Sequence, residues 1–322
     1  MDALFKSQID IKSNGMTLLQ YLLPSIPYLD EKQWQALLVE GAIKIDGLVV
    51  HEDVVLITGQ YLQYTIANYE EGQVNTQWKL LWESEEIIAI HKPANLPVSR
   101  TTRNVYNTLI QLVRRESAWP DAHLLHRLDL ETSGIILLSK DKAGASQWQP
   151  RLKELIEQKI YHAVVYGRPD WQETELQCKL NTRQDSPIRC QMHVCLDGEK
   201  GKASHTRFKI LSSAANYTLL ECELLSGRKH QIRAHLAHLG HPIVGDKIYA
   251  NDGEFYLKRL QDAITKEDSD KLQTAHHLLH AHQLKITIPN YASQILIDRD
   301  YPQAFQSFCQ SAGLMIEAGI QN

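Results

Sequence analysis

From residue 86 to residue 288, short strand-like runs and helical stretches alternate at irregular spacing, and no segment repeats another. The strand-like runs are Glu86–His91, ending at Lys92-Pro93, Ile135–Leu138, Ile160–Tyr166, Tyr217–Leu225 and the alternating Gln283–Ile288. Helical spacing appears in Tyr106, Leu109, Ile110 and Val113, and in Ile232, Leu236 and Leu239 within 230–239. Trp148, Leu152, Leu155 and Ile156 also share a helical face, with Pro150 opening a new helix between them. A regular βαβ repeat would space these elements evenly. The irregular order predicts instead an α+β fold with a mixed sheet flanked by helices. No apolar run reaches the ~18–20 residues that cross a bilayer, and the first ten residues are polar and acidic, so neither membrane insertion nor a secretory signal is expected. Five cysteines, an odd count without a Cys-x-x-Cys pair, predict a reducing, cytoplasmic setting.

The first 70 or so residues read differently. Two short apolar-periodic stretches, 16–23 and 31–40, suggest helices, the second with Trp34, Leu37 and Leu38 on one face and Asp30 placed to cap it. Two β-rich runs, 42–45 and 48–51, follow, joined by Asp46-Gly47, a strong hairpin signal. This predicts a small helix–helix–hairpin domain over residues 1–72, a polar linker at 68–77, and a second domain over 76–322.

The formal charge of −4 argues, taken alone, against a nucleic-acid partner. Its distribution argues otherwise. Residues 1–75 hold four lysines, no arginine and ten acids; residues 251–322 hold six bases and nine acids. The stretch between them carries 24 bases against 19 acids, and most of the histidines.

Three stretches in that basic segment carry chemistry. His126-Arg127-Leu128-Asp129-Leu130-Glu131-Thr132-Ser133-Gly134 sets an aspartate beside a cation, ahead of a tight turn that feeds a buried strand. Such a carboxylate can serve as nucleophile or general base, or simply cap the turn with Arg127 in solvent. Lys159-Ile160-Tyr161-His162 puts a tyrosine one step into a strand, where its ring can stack on a base. Ser226-Gly227-Arg228-Lys229-His230-Gln231-Ile232-Arg233-Ala234-His235 packs bases and histidines at a loop-to-helix junction, and an arginine there can pair with a buried carboxylate.

Together these stretches resemble the RluA-type family of RNA pseudouridine synthases. The family's H-R-L-D-x-x-T-S-G pattern is matched in full at 126–134, and G-R-x-H-Q-I-R-x-H with its Gly-His-Pro-Ile-x-Gly-Asp extension at 227–246. An opening element resembles 85–98 and a late one 279–284, so the likeness runs through roughly 79–290. The resemblance implies the pseudouridine synthase fold, with a largely antiparallel central sheet. It implies an isomerase that needs no cofactor and acts on ribosomal or transfer RNA, as a monomer and without a membrane. A uridine is flipped out, its N-glycosidic bond is broken, the base turns, and a carbon–carbon bond to the sugar forms. Asp129 then stands as the catalytic aspartate, attacking either the ring or the sugar carbon. Tyr161 stands as the residue packed on the base, Arg233 as the cation paired with the aspartate, and Arg127 as the side chain filling the gap left by the flipped base. His126, Arg228, Lys229 and His230 are candidate RNA contacts.

Two other readings use the same residues. The histidine runs His235, His238, His241 and His276, His277, His280, His282 suggest a metal, but His235 and His238 fit a helix face only loosely at i, i+3, there is no His-Glu-x-x-His, and no metal is expected. A binding protein without catalysis is the other, which the intact 126–134 pattern disfavours. The front module resembles the small RNA-binding domain that often precedes this catalytic domain, yet its net −6 departs from the basic surface such a module needs. Asn95 stands at a position usually glycine, Lys229 where a small hydroxyl residue is common, and Ile288-Pro289 replaces an aromatic or histidine approach to proline.

Overall fold

The structure is a computed structural model and describes residues 3–25, 29–67, 69–101, 103–261, 264–288 and 292–316. Pro289 and Asn68, part of two expectations above, lie outside them. The chain divides into two compact units, residues 1–73 with 100–106, and residues 74–99 with 107–322. Among the described residues no helix is long and apolar enough to cross a membrane.

The first unit contains β1 (Ala3–Gln8), α1 (Leu18–Ser25), α2 (Glu31–Val39), β2 (Ile43–Ile45), β3 (Leu48–Val49) and β4 (Tyr61–Ile66). Asp30 caps α2 through a capping box with Gln33, which satisfies two otherwise orphaned amides. Asp46 and Gly47 both take positive φ, 51° and 84°, the backbone that a two-residue hairpin with matching twist requires. The hairpin is extended by strands that local patterning did not suggest. β4 inserts between β1 and β2, giving an antiparallel sheet in the order β1-β4-β2-β3. Ile43, Ile45, Leu62 and Tyr64 point from this sheet onto Leu18, Leu22, Trp34 and Leu38 of the helices, and Trp34 meets Tyr64 edge to face at 5.0 Å. Residues 100–106 belong here because Asn104 Nδ2 donates to the Gly72 carbonyl at 2.9 Å and Val105 packs on Tyr69.

The second unit is built on one large sheet. Its elements are β5 (Lys79–Glu83), β6 (Ile87–Lys92), α3 (Leu109–Glu116), β7 (His123–Leu124), β8 (Ser133–Ser139), α4 (Lys142–Trp148), α5 (Leu152–Leu155), β9 (Ile156–Tyr166), β10 (Glu173–Thr182), β11 (Met192–Val194), β12 (Lys202–Ser213), β13 (Tyr217–Leu224), α6 (Gln231–His238), α7 (Glu254–Leu260), α8 (Lys266–Leu272), β14 (Leu279–Ile286), β15 (Gln294–Ile297) and α9 (Gln303–Ala312). The sheet runs β11-β10-β12-β13-β9-β14-β8-β6-β5, with β15 on β14 and β7 on β8. Every pairing is antiparallel except β14 with β8. The architecture is thus α+β, with a mixed and largely antiparallel sheet.

The middle of the sheet is buried on both faces. Ile88, Ile90, Ile136 and Leu138 enter one core cluster, while their neighbours Ile87, Ala89, Ile135 and Leu137 enter the other. That follows from the two-residue period of a strand, and it is why these strands read as unbroken apolar runs. Ile156 leaves the helical face proposed for it and starts β9, because the helix breaks at Gln149–Arg151 and ends at Leu155.

Candidate active site

The loop between β7 and β8 carries Asp129, and nearly every residue of its second half is tied down separately. The Leu130 carbonyl accepts from Lys92 Nζ at 3.0 Å; the same ammonium donates to the carbonyls of Pro93 (2.8 Å) and Leu96 (3.0 Å). Glu131 accepts from Lys247 at 2.8 Å, Arg259 at 3.0 Å and the His277 amide at 3.1 Å. Thr132 Oγ1 bonds His277 Nε2 and Ser133 Oγ bonds His280 Nδ1, each at 2.8 Å. Gly134 lies where parallel strand β14 crosses; its φ is +107° and a Cβ would stand 2.3 Å from the Ala281 carbonyl oxygen. Only glycine satisfies that backbone and that approach. Upstream, His126 Nε2 accepts the Leu137 amide at 3.1 Å, so this imidazole pins the loop to β8.

Asp129 itself faces the start of α6. Arg233, in the first turn of that helix, donates from Nη1 to Asp129 Oδ2 at 2.8 Å. Its Nε and Nη2 are held by Asp246 in a two-pronged pair at 2.7 and 2.8 Å, and Asp246 Oδ1 also accepts the amides of Ile248 and Tyr249. Asp246 is wholly buried and Arg233 nearly so, whereas the Asp129 side chain is 29% exposed. The guanidinium is therefore clamped from behind and presents one arm to the accessible carboxylate. Gly245 makes the clamp possible: its φ is +78° and a Cβ there would sit 2.1 Å from Thr274 Oγ1.

The electrostatics follow from this packing. Burial by itself would raise the Asp129 carboxyl, but His230 and Arg233 outweigh it and hold its pKa at about 2. Burial also pulls His230 down to about 4, leaving its imidazole uncharged at neutral pH, so the lasting positive neighbour is Arg233. Glu131 is likewise held at about 2, burial being overcome chiefly by Lys247, His277 and Arg259. Burial pulls Lys92 down to about 7 against the pull of Asp129 and Glu131; three carbonyl acceptors nonetheless match the three protons of an ammonium. Tyr161, buried on β9, is pushed well above the usual phenol range by burial and by the charge of Asp129.

The remaining expected residues are distributed around this pair. The Arg127 side chain is exposed and has no hydrogen bond or ion pair among the described residues. Lys229 is exposed as well, and Arg228 is exposed with its Nε on the Ala203 carbonyl at 2.9 Å. His230 takes a left-handed backbone, φ 52°, directly before α6, and its Nε2 lies 3.9 Å from Asp129 Oδ2. Asn95 has φ +59°, so it occupies a glycine conformation. Sequence reasoning did not single out Lys92, Glu131 or Asp246 as site residues. Each was visible only as part of a quoted motif, because what it does depends on a partner many residues away.

Several histidines of these runs are engaged in hydrogen bonds. His235 Nε2 bonds Ser204 Oγ, His241 Nδ1 bonds the Tyr166 carbonyl, and His280 and His282 reach the Asp298 carbonyl. Among the described residues, the one set of candidate ligand atoms close enough to share an ion is His193, Cys195 and Glu199, where His193 Nε2 is already bonded to Glu199 at 3.0 Å.

Comparison with known proteins places this arrangement. Residues 86–238 match the family model described as RNA pseudouridylate synthase. An uncharacterized RNA pseudouridine synthase of Synechocystis is 32% identical over 267 residues, covering 81% of this chain and 89% of the relative. The dual-specificity RNA pseudouridine synthase RluA of Vibrio cholerae is 36% identical over 171 residues, 53% of this chain and 68% of the relative. The solved human RNA pseudouridylate synthase domain containing 4 superposes with a TM-score of 0.56 at 25% identity, covering 74% of this chain and 94% of that one. With the Asp129 loop, the Arg233 helix and this sheet in place, the chain belongs to the RluA-type family of RNA pseudouridine synthases, enzymes that isomerise uridine within RNA.

Proposed function

We propose that the chain converts specific uridines of ribosomal or transfer RNA to pseudouridine by flipping the base out of the strand and acting on it with Asp129. The observation that carries this reading is the Asp129–Arg233–Asp246 relay: an accessible carboxylate held ionised by a guanidinium that cannot move away from it. The reaction is redox-neutral. The C1′–N1 bond breaks, C1′–C5 forms, the proton lost from C5 is balanced by one gained at N1, and no co-reactant is consumed. Asp129 attacks either the sugar C1′ or the uracil ring, and in both cases it must be ionised, which its lowered pKa provides.

Tyr161 forms the apolar wall against which the uracil packs, a role that its protonated phenol fits. Arg127, solvent-facing and unengaged, enters the gap that the flipped base leaves; extrusion costs a few kcal/mol, and a stacked guanidinium offsets part of it. Arg228 and Lys229, beside α6, meet phosphates, and His230 borders the carboxylate from the same loop. His126 acts on RNA indirectly, by fixing the loop that bears Arg127 and Asp129. The acidic front module keeps its own core but contributes little to RNA affinity. A relative in Vibrio cholerae carries the name dual-specificity, which supports keeping both RNA classes in the proposal.

Asp129→Asn preserves volume and removes the nucleophile. Tritium release from [5-³H]uridine-labelled RNA should fall to background while RNA affinity stays within threefold of the original. Turnover by the variant would refute the assignment. Mapping pseudouridines in total RNA of cells with and without the protein identifies the sites.

A further inference from the structure

His162 follows Tyr161 on β9, so the two side chains point to opposite faces of the sheet. On its own face His162 is buried with His91 of β6 and with His280 and His282 of β14. This cluster closes on Asp298, just past β15, and on Tyr301, just before α9, both buried. The polar atoms of Asp298 are spent on it. Its amide donates to the His282 carbonyl at 2.7 Å, and its carbonyl accepts from His280 Nε2 at 3.0 Å and from His282 Nδ1 at 2.9 Å. One carboxylate oxygen accepts from His91 Nδ1 at 2.6 Å. The other accepts the Asp300 amide at 2.9 Å and lies 3.8 Å from His280 Nε2. Burial would raise this carboxyl, but the His91 hydrogen bond and the neighbouring His280 outweigh it and hold it below the usual range.

These partners fix where the protons sit. A carbonyl can only accept, so His280 carries a proton on Nε2. Burial holds that imidazole down to about 4, so it is neutral at pH 7 and its bare Nδ1 accepts from the Ser133 hydroxyl at 2.8 Å. By the same logic His282 donates from Nδ1. The Tyr301 hydroxyl, 3.2 Å from that nitrogen, therefore sends its own proton to His162 Nδ1 at 2.7 Å. Two of the anchored residues reach the reacting loop. Ser133 ends it four positions after Asp129, at the start of β8. His91 precedes Lys92, whose ammonium holds the carbonyl of Leu130, the residue next to Asp129. Asp298 stands behind both supports.

We propose that Asp298 is a positioning residue for the reaction: from the back of the sheet it holds His280 against Ser133 and His91 beside Lys92, and thereby fixes the Asp129 carboxylate for attack. The proposal rests on the reading of Asp129 given above and adds to it a brace supplied by the C-terminal segment. Asp298 touches neither the carboxylate nor the RNA. Its effect belongs on the rate of the bound complex and not on affinity, because a displacement of about 1 Å at a reacting group can cost on the order of 100-fold.

A double-mutant cycle tests it. Asp298→Ala and Ser133→Ala should each lower the single-turnover rate of tritium release by about tenfold or more, with the RNA dissociation constant within about threefold. Because both act along one path, the double variant should be within about twofold of the slower single one. A lower urea midpoint for Asp298→Ala with an unchanged rate, or losses that multiply in the double variant, would overturn the proposal. Two measurements stand even if Asp298→Ala fails to fold. A parent-like rate in Ser133→Ala would break the path at its loop end and overturn it. In the unmodified full-length protein at pH 7, long-range ¹H–¹⁵N spectra should show His280 protonated at Nε2 with Nδ1 bare; the opposite tautomer would overturn it as well. Absence of tritium release by the parent protein is a separate outcome, which refutes the isomerase reading and takes the positioning role with it. Failure of the brace alone is read only in an active parent.

Discussion

Asp129 is ionised at every pH at which a cell works, because Arg233 cannot turn away from it. The guanidinium is held by both oxygens of Asp246, whose own carboxyl is pushed far below the usual range, burial being overcome by Arg233. Removing that rear partner should matter more than its distance from the substrate suggests. Asp246→Asn keeps the shape but leaves a buried guanidinium without its charge partner, a change that costs about 3–5 kcal/mol in comparable pairs. We expect a lower urea midpoint, and a single-turnover rate reduced on the order of 100-fold through loss of alignment. RNA affinity should remain within threefold. The sign of the pH dependence follows from the same geometry. With Asp129 at about 2 against 3.8 for a free aspartate, its ionisation adds no acid limb to kcat/KM between pH 5 and 8. A limb in that window would belong to another group, such as Lys92, held at about 7, and not to Asp129.

Elements show where the sequence was legible and where it was not. Local signals translated directly: the Asp30 cap, the Asp46-Gly47 hairpin, and the apolar runs that became β6, β8 and β9. Strands β10 and β12, at one side of the sheet, escaped notice because their alternate residues are exposed and their pairing is set by distant partners. The parallel contact of β14 with β8 was equally hidden, and it fixes the loop end: Gly134→Ala should force the two strands apart. A loss of about 3 kcal/mol or more is expected, measured as the urea midpoint or as failure to accumulate soluble protein. β9 and β14 also bury His162 and His280, with His277 immediately before β14. Burial is the main cause that lowers them, His162 to about 3 and the other two to about 4, from 6.5. For a histidine whose folded pKa is lowered, the unfolded chain binds the proton first. Stability is then complete above pH 6.5 and is lost as pH falls toward 4, by about 1.4 kcal/mol per pH unit for each proton taken up. Urea midpoints should therefore drop between pH 7 and 5, before carboxylates titrate, and His162→Asn should lessen the slope. A midpoint flat over that range would contradict the burial of these rings in neutral form.

At the scale of the whole molecule the question is which charges hold the RNA. A net charge of −4 hides a basic middle and an acidic front. The four lysines of the first 75 residues stand among ten acids, so any phosphate nearing them meets a repulsive field before it meets a cation. Arg127 and Lys229 are exposed cations on the loops that carry the site, and neither side chain has a hydrogen bond or ion pair among the described residues. Counterion release separates the two cases. Each phosphate neutralised on a single strand contributes roughly 0.7 to the slope of log affinity against log salt. Replacing Lys6, Lys12, Lys32 and Lys44 together by alanine should leave that slope and the dissociation constant unchanged within twofold, and replacing Arg127 and Lys229 should lower the slope by about 1 to 1.5. Both sets can be read by fluorescence anisotropy with the full-length chain between 50 and 300 mM salt. A slope that falls with the front lysines would assign the module a share of the RNA after all, and the acidic surface would then need a different explanation.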